Sequence, residues 1–342
     1  MSAREITRRA DAPDDRAGRR RRISSEVWTV VGLFVVTIIM ILASRLISPS
    51  FGSWGQARAI LILTSFVMVI AFGQQSVILI GGLDLSVGSM MTLGGILTFS
   101  WIGSSGPALL WGIPAVLLVA GLIGAISGVG IILLRVPPFI MTLAMGIIVY
   151  GAALGITGGT PSGQASPILS ALFTHAVLGI PWIIVLMVVF AVLGTLLQQA
   201  TPFGRRLYAI GTSPQAAMIA GLPVRRLTIL TYAISGATAS LAGILMVGYG
   251  SGATLTMGDS YLLPSVAAVV IGGTSILGGR GLYLGAIGGA LLLTTLSTVI
   301  SSIGIAQGWR TIIYGVVILI ALVLLHDELT TWTARLRLRG PA

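Results

Sequence analysis

The sequence predicts an all-α protein that threads a membrane about ten times. Composition is the first reason. The 342 residues are 55% hydrophobic and only 8% charged, with a mean hydropathy of +1.02, values far from those of a soluble core. Run length is the second, because the apolar residues gather into stretches near the roughly 20 that a helix needs to cross ~30 Å of hydrocarbon. Arginine supplies the third and also the orientation. With the N-terminus inside, 17 of the 20 arginines fall on the cytoplasmic face, and only Arg45, Arg58 and Arg310 fall outside. Such asymmetry is what the positive-inside rule describes, so the net charge of +11 is a matter of topology rather than of nucleic-acid binding. An even number of crossings keeps both termini cytoplasmic.

Taken in order, residues 1–26 are polar, carry four consecutive arginines from Arg19 to Arg22, and read as a disordered cytoplasmic tail. The apolar run 27–47 is long enough to span and has no clear A-x-A site after it, so it is expected to be an uncleaved first helix. Further spans are expected at 57–80, 85–102, 108–134, 139–156 and 180–197, then at 227–247, 262–277, 282–303 and 311–325. The third and eighth are short and rich in glycine. Residues 27–326 thus form one transmembrane domain, and 327–342 a cytoplasmic C-terminal tail. The main outer loop, 157–181, opens with turn residues and continues with a segment able to form a short amphipathic helix. A solvated connector and a docking surface both fit it, and His175 reads as a surface residue there.

The polar island 205–226 interrupts this pattern. Arg205-Arg206 and Arg225-Arg226 bracket a segment with helix start and stop signals. Ser213 suits the N-cap and Pro214 the first helical position, where its missing N–H is no loss. Gln215, Ala216 and Ala217 favour helix, Gly221 suits the left-handed residue that closes one, and Pro223 prevents continuation. An ordinary basic loop and a docking helix for a cytoplasmic partner are the two readings.

Chemistry is sparse. The chain has no Lys and no Cys, which excludes a lysine-bearing phosphate loop, lysine nucleophiles and thiol or disulfide sites. The two His are far apart in sequence and suggest no metal cluster. Between Val27 and Leu325 the only acidic residues are Asp84 and Asp259. Proton-coupled carriers place acidic groups inside the bundle, and hydrolases need an acid–base pair or an activated nucleophile; neither set is present, so no catalytic residue, cofactor or metal site is expected. Asp84 lies in Gly81-Gly82-Leu83-Asp84-Leu85-Ser86-Val87-Gly88. Either Asp84 or Ser86 caps the third span, or a broken helix turns Asp84, Ser86 and Gly88 toward a translocation path. Asp259 reads as an outer-turn residue. Gly278-Gly279-Arg280-Gly281 reads as a tight inner turn. A weak internal repeat aligns the Leu85-to-Gly94-Gly95 spacing with that from Leu263 to Gly272-Gly273, as expected of two five-helix halves in inverted orientation.

The stretch from Gly81 to Gly88 resembles the GGIDLSVG motif of the ribose/galactose/xylose-type permeases of bacterial ABC sugar importers. Ala267 to Ser275 with Gly278-Gly279-Arg280-Gly281 is similar to that family's second signature, and Gly211 to Ala217 with Gly221 to its cytoplasmic coupling segment, here 201–226. The resemblance covers roughly 30–325. It implies a multi-pass permease in the bacterial inner membrane, importing a monosaccharide. It also implies separate ATP-binding-cassette ATPase subunits, a periplasmic sugar-binding protein and a second permease subunit, identical or paralogous, with lipid around the bundle and no nucleic acid. Ser213, Pro214, Gln215, Ala216, Ala217, Gly221, Arg225 and Arg226 would couple to the ATPase. One departure matters: where relatives carry an acidic YELD-like stretch, this chain has Tyr261-Leu262-Leu263-Pro264, so no sugar contact passes to those positions. The alternative from the residues is an ion-coupled secondary transporter of a small polar solute; an intramembrane enzyme lacks its acid–base set.

Overall fold

The structure is a computed structural model that describes residues 25–46, 52–304 and 306–324. The expected tails, 1–26 and 327–342, lie outside these residues, apart from Ser25 and Glu26 at the start of the first helix. Helices α1 (Ser25–Ser44), α2 (Trp54–Leu79) and α3 (Val87–Leu97) are followed by a π-helical turn, Thr98–Ile102. Then come α4 (Ala108–Leu133), α5 (Pro138–Thr157) and the short α6 (Pro167–Thr174). A two-residue hairpin, β1 (Ala176–Val177) with β2 (Ile180–Pro181), leads into α7 (Trp182–Gln199). Two shorter helices follow, α8 (Pro202–Thr212) and α9 (Pro214–Ile219). The chain ends in α10 (Val224–Gly250), α11 (Asp259–Ile271), α12 (Tyr283–Ser302) and α13 (Gln307–Leu324). Among the described residues seven helices are long and apolar enough to cross a membrane, and α3 with its π-turn and α11 are shorter apolar helices. The protein is therefore a polytopic, essentially all-α membrane protein.

α10 is the hub, packing on α2, α3 and α4. Its buried face is small: Ser235, Gly236, Ala239, Ser240, Ala242 and Gly243. Lipid tails are as apolar as leucine side chains, so helices in a bilayer gain from close backbone approach at small residues. The facing glycines show how close that approach is. A Cβ on Gly73 of α2 would sit 2.7 Å from the Cα of Ser235, one on Gly94 of α3 2.7 Å from that of Ser240, and one on Gly128 of α4 2.7 Å from that of Ile229.

The packing pairs α2–α5 with α10–α13. α10 lies on α3 and α4, and α2 lies on α11 and α12. α3 touches α5 as α11 touches α13, and α3 touches α4 as α11 touches α12. α1 rests on α12, whereas α7 rests on α2 and α12, so the first helix of each half departs from the pattern.

Where expected boundaries differ, local chemistry explains the shift. The eighth span was expected at 262–277, but α11 stops at Ile271. Gly273 takes a left-handed φ of 84°, and the N–H groups of Gly273 and Thr274 donate to the carbonyls of Val270 and Val269, closing the helix. α2 ends in the same way, with Gly81 at φ 77° and Gly82 N–H donating to Val77. The span expected at 180–197 begins at Trp182 because 180–181 form β2. Leu178 and Gly179, both at positive φ, make the tight turn that a two-residue hairpin needs.

On the outer side α6 buries Leu169 and Phe173, and Phe173 joins a ring cluster with Phe66 and Tyr249. Arg58 donates to the Phe173 carbonyl at 3.1 Å. The outer loop is thus tied onto α2 and α10. A topology test follows from the exposed Ser162 and Gln215. The chain has no native Cys, so Ser162→Cys should react with an impermeant thiol reagent in intact cells, and Gln215→Cys only after lysis. Labelling of position 215 from outside would invert the orientation.

Candidate functional site

Three places carry polar chemistry: the break before α3, a cavity in the outer half, and the cytoplasmic end. At the break, residues 80–86 leave helical geometry between α2 and α3. Asp84, 1% exposed, is the anchor. Its Oδ1 accepts from the N–H of Ser86 at 2.9 Å and from its Oγ at 2.6 Å, and its Oδ2 accepts from Ser235 Oγ of α10 at 2.7 Å. Thr142 of α5 accepts from the Leu85 N–H at 3.0 Å. Ser86 occupies the N-cap position of α3, yet its side chain makes no cap bond; it is turned to Asp84 instead. Gly88 meets the start of α11, where a Cβ would lie 3.0 Å from the Gly258 carbonyl, and Gly258 N–H donates to Thr92 Oγ1 at 3.1 Å. The N-terminal ends of the two short helices thus face each other inside the bundle.

The cavity, about 540 Å³, lies among α2, α10, α11, α12 and α13. Leu63, Val67 and Met246 form its apolar wall. Thr254, Thr256 and Met257 border it from the loop after α10, and Ser260, Tyr261 and Pro264 from α11. α12 adds Leu293 and a row of hydroxyls, Thr294, Ser297, Thr298 and Ser301, and α13 adds Tyr314. Nine of the fifteen lining residues carry a hydroxyl and none carries a charge. Asp84, Ser86 and Gly88 are not among them. Tyr261 and Pro264 lie in the stretch to which the sequence assigned no sugar contact, and the lining serines and threonines went unread because they default to helix packing. The usable signal was the i, i+3, i+4, i+7 spacing of the α12 hydroxyls, which places them on one helical face.

At the cytoplasmic end α9 forms as its residues dictate. Ser213 Oγ accepts from Ala216 N–H at 3.2 Å. Gly221, at φ 79°, donates to Met218, and Leu222 donates to Ala217. Pro214, Gln215 and Ala216 face solvent, while Ala217 is buried with Ile210 and Leu227. A shallow groove of about 380 Å³ runs along Met218 and Gly221 to Arg226, past Arg225. α8, a second helix inside residues 201–226, was not foreseen. Thr201 caps it by accepting from Gly204 N–H at 3.3 Å. The Gly278–Gly281 turn lies against it: Tyr208 donates to the Gly281 carbonyl at 2.6 Å, and Gly279 N–H donates to Leu79 at the end of α2 at 2.9 Å.

The sequence model of a family described as branched-chain amino acid transport system / permease component matches residues 56–322. The chain belongs to this family. Its curated relatives include the ribose import permease protein RbsC of Haemophilus influenzae, 37% identical over 295 residues, covering 84% of this chain and 90% of the relative. RbsC of Bacillus subtilis is 36% identical over 309 residues, covering 88% and 93%. The fructose import permease protein FrcC of Rhizobium meliloti is 33% identical over 308 residues, covering 85% and 83%. A transport permease spanning the bacterial inner membrane several times is the identity that family and helices together show.

In this permease the closed network around Asp84 makes a clear prediction. Asp84→Asn keeps the shape but puts an amide donor against donors, so a buried partner loses its acceptor, at a cost of about 1–3 kcal/mol. The purified variant should melt at a lower temperature. Unchanged melting together with slowed uptake would place Asp84 on the transport path instead.

Proposed function

We propose that this chain is the membrane permease subunit of an ATP-binding-cassette importer that carries a neutral monosaccharide into the cytoplasm. The observation that carries the substrate class is the hydroxyl-lined, uncharged cavity. An amino acid zwitterion entering it would find no charged partner for its ammonium or its carboxylate, and unpaired charges are costly to take out of water. A sugar offers hydroxyls that both donate and accept, matched to Ser, Thr and Tyr. The family's printed description names amino acids, while RbsC and FrcC are named for ribose and fructose; the cavity favours the sugar side.

Energy is supplied at the other end, by ATPase subunits on separate chains. α9 presents Ile219, 89% exposed, and Met218 as an apolar tip beside Arg225 and Arg226. Ala217 and the Ser213 cap hold that tip rigid, so Ser213, Ala217 and Gly221 shape the helix while Gln215, Ala216, Arg225 and Arg226 face the ATPase. A binding protein delivers sugar from outside, and a second permease subunit completes the pathway. The arginine asymmetry, with Arg205, Arg206, Arg225 and Arg226 in and beside α8 and α9, supports an ATPase-side location for both helices.

Gly221→Val tests the coupling. The position has open space for a side chain, so the effect is backbone strain alone, roughly 1–2 kcal/mol for a β-branched residue in the left-handed region. The variant should reach normal levels in the membrane while binding-protein-stimulated ATP hydrolysis and sugar uptake both collapse. Normal values for both would remove α9 from the coupling role. Sodium-dependent uptake by the isolated chain in liposomes without ATP would replace the importer with a secondary transporter.

A further inference from the structure

We infer that the β1–β2 hairpin between α6 and α7 is a membrane-interface anchor, whose tip residue Leu178 enters the lipid leaflet beside α7, flanked by Trp54 and Trp182. The turn gives the first reason. Leu178 and Gly179 take φ of 53° and 80°, and two-residue hairpin loops of this kind favour Asn, Asp or Gly at the first position and Gly at the second. A leucine in the left-handed region is unfavourable. Turn geometry therefore does not account for Leu178, and neither does packing, because the residue is 97% exposed. The hairpin is closed at its base, where Trp182 N–H donates to the His175 carbonyl at 3.3 Å, so the tip is held out rather than folded back.

The surroundings of the tip are apolar. Residues 176–182 carry no charged and no hydroxyl side chain. Val177, Ile180 and Trp182 are exposed, whereas Pro181 is buried. Trp54 at the start of α2 is exposed as well, and its Nε1 lies 4.0 Å from where a Cβ on Gly179 would sit. Trp182 opens the exposed stripe of α7. Leu186, Val189, Leu193 and Leu196, all exposed, follow it at i+4, i+7, i+11 and i+14, which is one face of a helix. α7 is long and apolar enough to cross a membrane and is mostly unburied, so this face meets lipid, and the hairpin patch continues it. Tryptophan gathers at the membrane–water interface, and an apolar element at that level settles at the boundary between headgroups and acyl chains. A water-soluble partner fits less well. The exposed groups that could hydrogen-bond one, Thr160, Ser162 and Gln164, lie in the preceding stretch of the same connection.

The chain has no native Cys, so single fluorescent labels report without background. Val177→Cys places an environment-sensitive fluorophore beside the intact Leu178, and Ser162→Cys serves as the reference. Both are made in the full-length chain and reconstituted in vesicles of phosphatidylethanolamine and phosphatidylglycerol. The label at 177 should emit at shorter wavelength than that at 162 and be quenched by lipids bearing a nitroxide near the top of the acyl chain. Aqueous iodide should quench it about half as strongly or less. Adding Leu178→Asp should return the label at 177 to water, with iodide quenching equal to that at 162; aspartate suits the turn, so the hairpin itself persists. Equal iodide quenching at 177 and 162 in the parent pair would overturn the anchor, as would a label at 177 that Leu178→Asp leaves unmoved. Shielding of 177 that appears only when the importer's binding protein is added would also overturn it, by making the hairpin a protein-docking element.

Discussion

A backbone that leaves helical geometry inside hydrocarbon must find protein partners for its polar groups, because no water is there to take them. The break at residues 80–86 is where this permease meets that requirement, and much else depends on how it does so. Asp84 accepts from the first N–H of the break's far side and from Ser235, while Thr142 accepts from Leu85. Helices α5 and α10 are thereby fixed against α3. The same contacts let α3 begin deep in the bundle, where its N-terminal end meets that of α11. Half-helices meeting inside a bundle are how many transporters bring helix dipoles and irregular backbone to a pathway without exposing them to lipid.

Close packing on α10 supplies the rest of the rigidity. Its small-residue face admits α2, α3 and α4 at separations that a single added methyl would prevent. α2, the most buried of the long helices, therefore moves with α10 or not at all. Its inner end is in turn held by the Gly278–Gly281 turn through Leu79, and that turn is held by Tyr208 of α8. Gly211, at the end of α8, packs so closely that a Cβ there would lie 2.9 Å from the Cα of Gly279. A push on α9 thus reaches α2 through backbone contacts, which have little slack. The outer cavity is bordered by α2 and α10 as well as by α11 and α12.

The split between what was legible in the sequence and what was not follows the range of the interactions. Span positions, the arginine asymmetry and the capped helix at 214–219 were legible because run length, charge and capping act within a few residues. Ser213 and Gly221 flank α9, one as its N-cap and the other as the left-handed residue after it, as their residue types alone dictate. The end of α11 at Ile271 was misplaced by six residues because an apolar run continues past the glycine pair that closes the helix. α8 escaped notice because its eleven residues mix one Arg pair with apolar positions and resemble a loop.

By itself, the sequence determined the class of protein, the family motifs and the absence of an acid–base set, since each of these is a property of composition or of neighbouring residues. Only the tertiary structure decided the role of individual polar groups. Asp84 has its partner in Ser235, 151 positions away, which no local pattern shows. Thr294 and Thr295 are indistinguishable as letters, yet the Thr295 hydroxyl bonds its own helix and the Thr294 hydroxyl is buried without a partner among the described residues. Which hydroxyl meets a carbonyl and which does not depends on packing between segments far apart in the chain, and no local pattern encodes it.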